Sequence, residues 1–172
     1  MSLKTRLIAV AAVWIIAGVF VVGLLLSAIF RDHVPAQFYD ELYVHLDELQ
    51  RLAEVKPNGA FLQRNLSDPR YDVALSGYYW EIQSGATVLA RSKSLEGPIL
   101  ATPKDGPADV DVHTHTIAGP TGDLLVAERA KWIDPSGKPT SFLIGTDKRH
   151  LDSVLRAFET TVGYSLAAFA AL

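Results

Sequence analysis

Residues 7–30 read LIAVAAVWIIAGVFVVGLLLSAIF, twenty-four positions without a charged side chain. A helix rises about 1.5 Å per residue, so some 20 apolar residues cross a hydrocarbon layer about 30 Å thick. This stretch is long enough to span a bilayer with some tilt. Lys4 and Arg6 precede it and belong on the cytoplasmic side by the positive-inside rule, while Arg31 and Asp32 follow at the far interface. A cleaved signal peptide carries a shorter apolar core, about 7–15 residues. No small-x-small cleavage site precedes Arg31 either, so an uncleaved anchor is the expectation.

The opposite end repeats the signal in part. After Glu159 no charge occurs in TTVGYSLAAFAAL, residues 160–172. Thirteen residues are too few to cross a bilayer. The reading adopted is a chain that stops partway through a second membrane helix; a core helix packed on the domain is the alternative. The expected organisation is a cytoplasmic tail at 1–6, a transmembrane helix at 7–30, and an extracytoplasmic domain at 31–160. The start of a truncated second transmembrane helix follows at 161–172.

What lies between is one ordinary domain by length. Beyond residue 30, fourteen Lys and Arg face nineteen Asp and Glu, a net of −5. Nucleic acid, which requires a basic face, is excluded as a partner by this balance. The chain has no cysteine, which removes disulfide scaffolds, thiolate zinc sites and thiol nucleophiles together.

From Val34 to Val55 the period is helical. Phe38, Tyr39, Leu42, Leu46, Leu49, Leu52 and Ala53 recur at three- and four-residue steps, with Asp40, Glu41, Asp47, Glu48, Arg51 and Glu54 opposite. Pro35 is tolerable near the junction as a kink or first-turn residue, and Lys56-Pro57-Asn58-Gly59 ends the helix. The apolar stripe, through Phe38, Leu42, Leu46, Leu49 and Ala53, is the expected dimer interface, part of it covering a sheet.

Beyond residue 59 the period becomes two. Tyr78, Trp80 and Ile82 alternate with Tyr79, Glu81 and Gln83, as in a half-buried strand. Ser84-Gly85 turns the chain into a strand at Thr87–Ser92. Further strands are expected at Asp109–Ile117, Asp123–Ile133 and Thr140–Gly145, with turns at Gly119-Pro120-Thr121-Gly122 and Asp134-Pro135-Ser136-Gly137. Short hairpin connections imply an antiparallel sheet, since parallel strands need long crossovers. A last helix is expected from about Asp147, whose carboxylate would cap it, with Leu151, Val154, Leu155, Phe158 and Val162 as its stripe. The fold class is α+β.

Candidate chemistry is sparse. Asp109, Asp111, His113 and His115, at two-residue spacing in a strand, would share one face. They fit a zinc or nickel site, a group titrating near neutral pH, or simply the wet face of a half-solvated strand. Tyr78, Tyr79 and Trp80 would line a small pocket or fill the core. The basic pairs Arg91/Lys93 and Arg129/Lys131 would meet an anion, lipid headgroups or only water. His33, His45 and His150 have no neighbour in the sequence pattern that makes them ligands or bases. There is no Walker loop, dinucleotide fingerprint, nucleophile elbow or HExxH, and no catalytic residue is assigned.

The local sequences Asp68-Pro69-Arg70-Tyr71, Leu75-Ser76-Gly77-Tyr78-Tyr79-Trp80-Glu81-Ile82, Arg91-Ser92-Lys93-Ser94-Leu95 and Val126-Ala127-Glu128-Arg129, in this element order, resemble one family. It is the N-terminal transmembrane and periplasmic sensor region of bacterial two-component sensor histidine kinases, in the PhoQ-related proteobacterial group. The likeness covers about residues 5–172 and departs at Glu96 and Gly97, where a Trp-Asp pair is common. It implies a five-stranded PAS- or PDC-like sheet, a homodimer in the bacterial inner membrane, and a periplasmic domain at 31–160. It also implies a kinase core, after residue 172, that uses ATP and Mg, and phosphotransfer to a response regulator. No cofactor is implied for these residues, and none of the histidines fits the phosphoacceptor motif. Chemoreceptors and membrane-bound cyclic-dinucleotide enzymes place a similar sensor between two membrane helices. A complete membrane-anchored binding module is the reading from a different class.

Overall fold

The computed structural model describes residues 2–56, 59–103, 111–132 and 139–170. The chain divides into two units, residues 1–36 with 151–172, and residues 37–150. In order, the elements are α1 (Leu3–Leu52), β1 (Ala53–Lys56), β2 (Gly59–Leu62), a 3₁₀ turn (Pro69–Asp72), β3 (Tyr78–Ser84), β4 (Thr87–Arg91), β5 (His113–Ala118), β6 (Asp123–Lys131), β7 (Thr140–Asp147) and α2 (Lys148–Ala170).

The first unit is a pair of helical segments. Phe30 stacks on Phe158 at 3.8 Å, Arg31 pairs with Glu159 at 2.7 Å, and a Cβ on Gly23 would lie 2.9 Å from Leu166 Cδ1. As the number rises in one segment it falls in the other, so the two run antiparallel. Glycine at 23 lets them approach closely there. The apolar side chains of α1 from Leu3 to Ile29 are turned outward, Trp14 at 72% exposure among them. Water does not tolerate a surface of that extent on an isolated protein. By length and composition α1 is able to cross a membrane.

In the second unit β3–β7 form one antiparallel sheet in the order β4-β3-β7-β6-β5. β7 comes last in the chain yet sits at the centre, because both β3 and β6 pair with it. Partners across an antiparallel ladder share a face. Tyr79, Gly145, Val126 and His115 therefore lie on one side, while Trp80, Ile144, Ala127 and Thr114 lie on the other. The first side is closed by the segment after β4, whose Leu95 and Leu100 join Tyr79, Ile117, Leu124, Val126 and Leu143 in one core.

The second side is covered by α1. Arg129 of that face donates to Asp47 at 2.5 Å and to Gln50 at 3.0 Å, and Tyr39 bonds Thr116. This geometry carries Leu42, Leu46 and Leu49 onto Trp80, Ile82, Phe142 and Ile144, and all seven are buried. Burying each leucine contributes about 1.5–3 kcal/mol.

Several expectations need correction. β3 is not half-buried: Tyr79 through Gln83 are all buried, because both faces of the sheet are covered. Helix α1 passes through Pro35 without a break and stops at Leu52 rather than Val55. Ala53–Lys56 instead pairs with Gly59–Leu62 in a two-stranded sheet. Leu42, Leu46 and Leu49 retain 0–2% exposure within one chain, so a second copy cannot reach them; they belong to the part of the stripe that covers the sheet. Phe38 and Ala53 are half-buried.

Candidate functional site

Glu41, His45 and Glu48 stand four and three residues apart on α1, so they share one side of the helix. Opposite them lies Ser67-Asp68-Pro69-Arg70-Tyr71. Pro69 fixes the entry to the 3₁₀ turn, and the Asp68 carboxylate caps it by accepting from Arg70 N at 2.9 Å. The His45 ring sits among three carboxylates. Its Nε2 is 3.9 Å from Glu41 Oε1 and 3.8 Å from Asp68 Oδ2, and its Nδ1 is 3.7 Å from Glu48 Oε2.

Arginines balance these charges. Arg70 donates from Nε to Asp68 at 2.6 Å and from Nη2 to Glu41 at 2.7 Å. Glu48 accepts from Ser67 N at 3.0 Å and Ser67 Oγ at 2.7 Å, with Arg64 3.3 Å away. Burial alone would raise the pKa of Glu48; the two Ser67 bonds and Arg64 outweigh it and hold the carboxyl below its ordinary range. Asp68 follows the same pattern, with burial overcome by the bonds from Arg70. The guanidinium of Arg70 is raised, first by its bond to Asp68.

Two polar atoms here are buried without a hydrogen-bond partner, His45 Nδ1 and Tyr71 Oη. Tyr71 is 2% exposed, and its ring meets His45 edge-on at 5.5 Å. Burial pushes the phenol pKa well up, and Asp68, Arg70 and Glu41 are the charges it feels most. A buried hydroxyl without a partner costs about 1–3 kcal/mol, an unusual expense in a native fold.

The site reaches the start of α2 through a stack. Arg70 lies over the Tyr78 ring at 3.7 Å, and Tyr78 stacks on His150 at 4.9 Å. Gly77 permits the approach: at φ +89 a Cβ would meet His150 Cε1 at 2.6 Å. Beside it Asp147 N donates to Gly77 O at 2.7 Å. The Asp147 carboxylate accepts from Arg149 N at 2.8 Å and Thr121 Oγ1 at 2.6 Å, capping α2 as its sequence suggested.

The residues singled out from sequence are dispersed. His113 and His115 share a face, their rings 6.4 Å apart, and His115 pairs with Glu128 at 3.7 Å. Asp111 is exposed and precedes β5, and Asp109 lies outside the described residues. Within the described residues the expected group thus comprises His113 and His115 on one face of β5, with Asp111 ahead of the strand. The three aromatics divide: Tyr79 and Trp80 enter opposite cores, and only Tyr78 reaches the site. Arg91, Lys93 and Arg129 are committed to Glu81, Asp72 and Asp47. A concavity of about 490 Å³ lies beside Gln83, Leu100, Thr102, Glu128 and Ser141, with no comparable cluster among the described residues.

His45 is the residue that sequence reasoning passed over. Its spacing from Glu41 and Glu48 was visible, but Asp68 and Tyr71 meet it only through the fold. Glu41, His45 and Asp68 each offer one ligand atom within 4.8 Å of the others, which makes them the group able to hold a metal among the described residues. Comparison with protein-family models, curated proteins and solved structures finds no match.

Proposed function

We propose that the chain is the membrane-anchored, extracytoplasmic sensing region of a two-component sensor histidine kinase, related to the PhoQ group. The observation that carries this reading is the connectivity of the domain to its helices. α1 runs unbroken from the apolar stretch into the packing of the sheet, and the central strand β7 passes directly into α2. The segments from 1–36 and 151–172 then pair antiparallel. In α2 most side chains from 160 to 170 are exposed, Tyr164 at 75%, as the start of a second span would be. The sheet domain is of the PAS- or PDC-like kind on this reading, with residues 31–160 in the periplasm and residue 1 in the cytoplasm.

A stimulus on the domain would alter α1 relative to α2, and the attached kinase core would read that change in a homodimer. A ligand shifts such an equilibrium only by its differential affinity for the two states. ATP and Mg serve the kinase core, and the phosphoryl group passes from its histidine to a response regulator. The test joins residues 1–172 to the linker and catalytic core of a sensor histidine kinase in membrane vesicles with ATP. One to four residues are inserted after Leu172 in separate chimeras. Histidine phosphorylation should rise and fall with helical phase, and Gly77→Val should change it in the phase that is active. Output indifferent to both phase and Gly77→Val would contradict the reading.

A further inference from the structure

We infer that Glu41, His45 and Asp68 form a binding site for a single divalent transition-metal ion of the zinc type. This deepens the sensor reading by naming a stimulus; it rests on that reading for its consequence, whereas the binding itself does not.

The donor set is one imidazole and two carboxylates. Such a mixture suits zinc and its neighbours, whereas magnesium and calcium take oxygen alone. With bonds of about 2.0–2.2 Å, tetrahedral ligands stand about 3.3–3.5 Å apart. His45 Nε2 is 3.9 Å from Glu41 Oε1 and 3.8 Å from Asp68 Oδ2. Those two separations need to contract by about half an ångström and the Glu41–Asp68 pair, within 4.8 Å, by at most about 1.5 Å, within the reach of side-chain torsions.

The surroundings fit a ligating histidine on both sides. Such a histidine donates its other ring N–H to a carboxylate, which fixes the tautomer. Glu48 stands 3.7 Å from Nδ1, and that nitrogen is buried without a hydrogen bond. With Nδ1 protonated toward Glu48, the Nε2 lone pair points to Glu41 and Asp68. Three protein ligands leave a fourth position for water. Tyr71 Oη, buried and unpartnered on a ring 5.5 Å from that of His45, is the group to bond that water.

Arg70 is the competitor. Its guanidinium occupies the oxygens an ion would take, but it is 43% exposed and can turn to solvent. Metal and Arg70 thus exclude each other from Asp68 and Glu41. Because Arg70 also lies over Tyr78, which stacks on His150 in the first turn of α2, the exchange reaches the helix that leads to the membrane.

The experiment uses the full chain in lipid nanodiscs, with Zn²⁺ alone competed against a chromogenic chelator, and Co²⁺ as a spectroscopic probe. The expected result is one equivalent per chain, indifferent to excess Mg²⁺, with visible Co²⁺ absorption of tetrahedral intensity. His45→Gln should weaken binding at least tenfold, His113→Gln should leave it unchanged, and Arg70→Gln should tighten it threefold or more. The last variant separates a site from a merely structural cluster, which would gain nothing from loss of its arginine. No stoichiometric zinc, binding unaltered in His45→Gln, or weaker binding in Arg70→Gln would overturn the inference. Should His45→Gln fail to fold, weak octahedral Co²⁺ absorption in the unmodified chain would overturn it equally. Kinase output plays no part in these readouts, so they can fail while the helical-phase test above succeeds.

Discussion

Asp147 joins the central strand to α2, and its replacement gives a worked test of the packing. The carboxylate is 1% exposed and accepts from Arg149 N, Thr121 Oγ1 and the Arg149 guanidinium. Burial alone would raise its pKa; the Arg149 and Thr121 hydrogen bonds outweigh that and lower it from 3.8 to about 2. At about 1.4 kcal/mol per unit this is on the order of 2 kcal/mol, discounted to about 1 kcal/mol because Arg149 stands largely in solvent. Asp147→Asn keeps a side chain able to cap α2 and should cost about that amount at pH 7. Asp147→Ala also forfeits the cap, about 1 kcal/mol, and leaves the Thr121 hydroxyl only its 3.3 Å contact with Tyr79 Oη, for a total of about 2–3 kcal/mol. The pH dependence has a definite sign. A depressed pKa stabilises the fold above the unfolded value near 4, and that stability disappears as pH falls from about 4 through 2. Asp147→Asn should lack this contribution. Thermal unfolding in nanodiscs, followed by tryptophan fluorescence at pH 7 and pH 3, measures both effects. Equal stability of Asp147→Asn and the unmodified chain at pH 7, or equal losses on acidification, would refute the reasoning.

Other predictions concern packing and the helix pair. Leu46→Ala should cost about 2–5 kcal/mol in the same unfolding assay, because Leu46 is fully enclosed between α1 and the sheet. A cost below about 1 kcal/mol would mean that α1 does not cover that face. Gly23→Cys with Leu166→Cys should form an intramolecular disulfide under mild oxidation, given the 2.9 Å approach at Gly23. Cross-links found only between chains would contradict the antiparallel pairing.

Much of the sheet was legible because its signal is local. The alternation in Tyr78–Gln83 and the turn at Ser84-Gly85 identify the β3–β4 hairpin, and β6 and β7 begin at Asp123 and Thr140 as read. The burial of β3 was not legible. It depends on Leu95 and Leu100 folding back over Tyr79, which no period within Tyr78–Gln83 encodes. β1 and β2 were missed because Ala53 and Val55 continue the helical stripe, and tertiary pairing with Leu62 and Ala60 overrode it. The candidate site was half visible. Glu41, His45 and Glu48 have helical spacing, whereas Asp68 and Tyr71 arrive from a loop some twenty residues away, at the segment Asp68-Pro69-Arg70-Tyr71 that had drawn notice only for resemblance. Of the Asp109–His115 group, strand spacing placed His113 and His115 on one face of β5 as read, whereas Asp111 precedes the strand. His115 pairs across the ladder with Glu128.

The central claim is that a membrane separates the sheet domain from the N-terminus. The chain contains no cysteine, so introduced thiols report without background. Ser2→Cys marks the tail, and Ala86→Cys marks the exposed β3–β4 turn. With a membrane-impermeant maleimide applied to cells whose inner membrane is intact, the account predicts labelling of Ala86→Cys at once and of Ser2→Cys only after lysis. Labelling of both before lysis, or of Ser2→Cys alone, would contradict it.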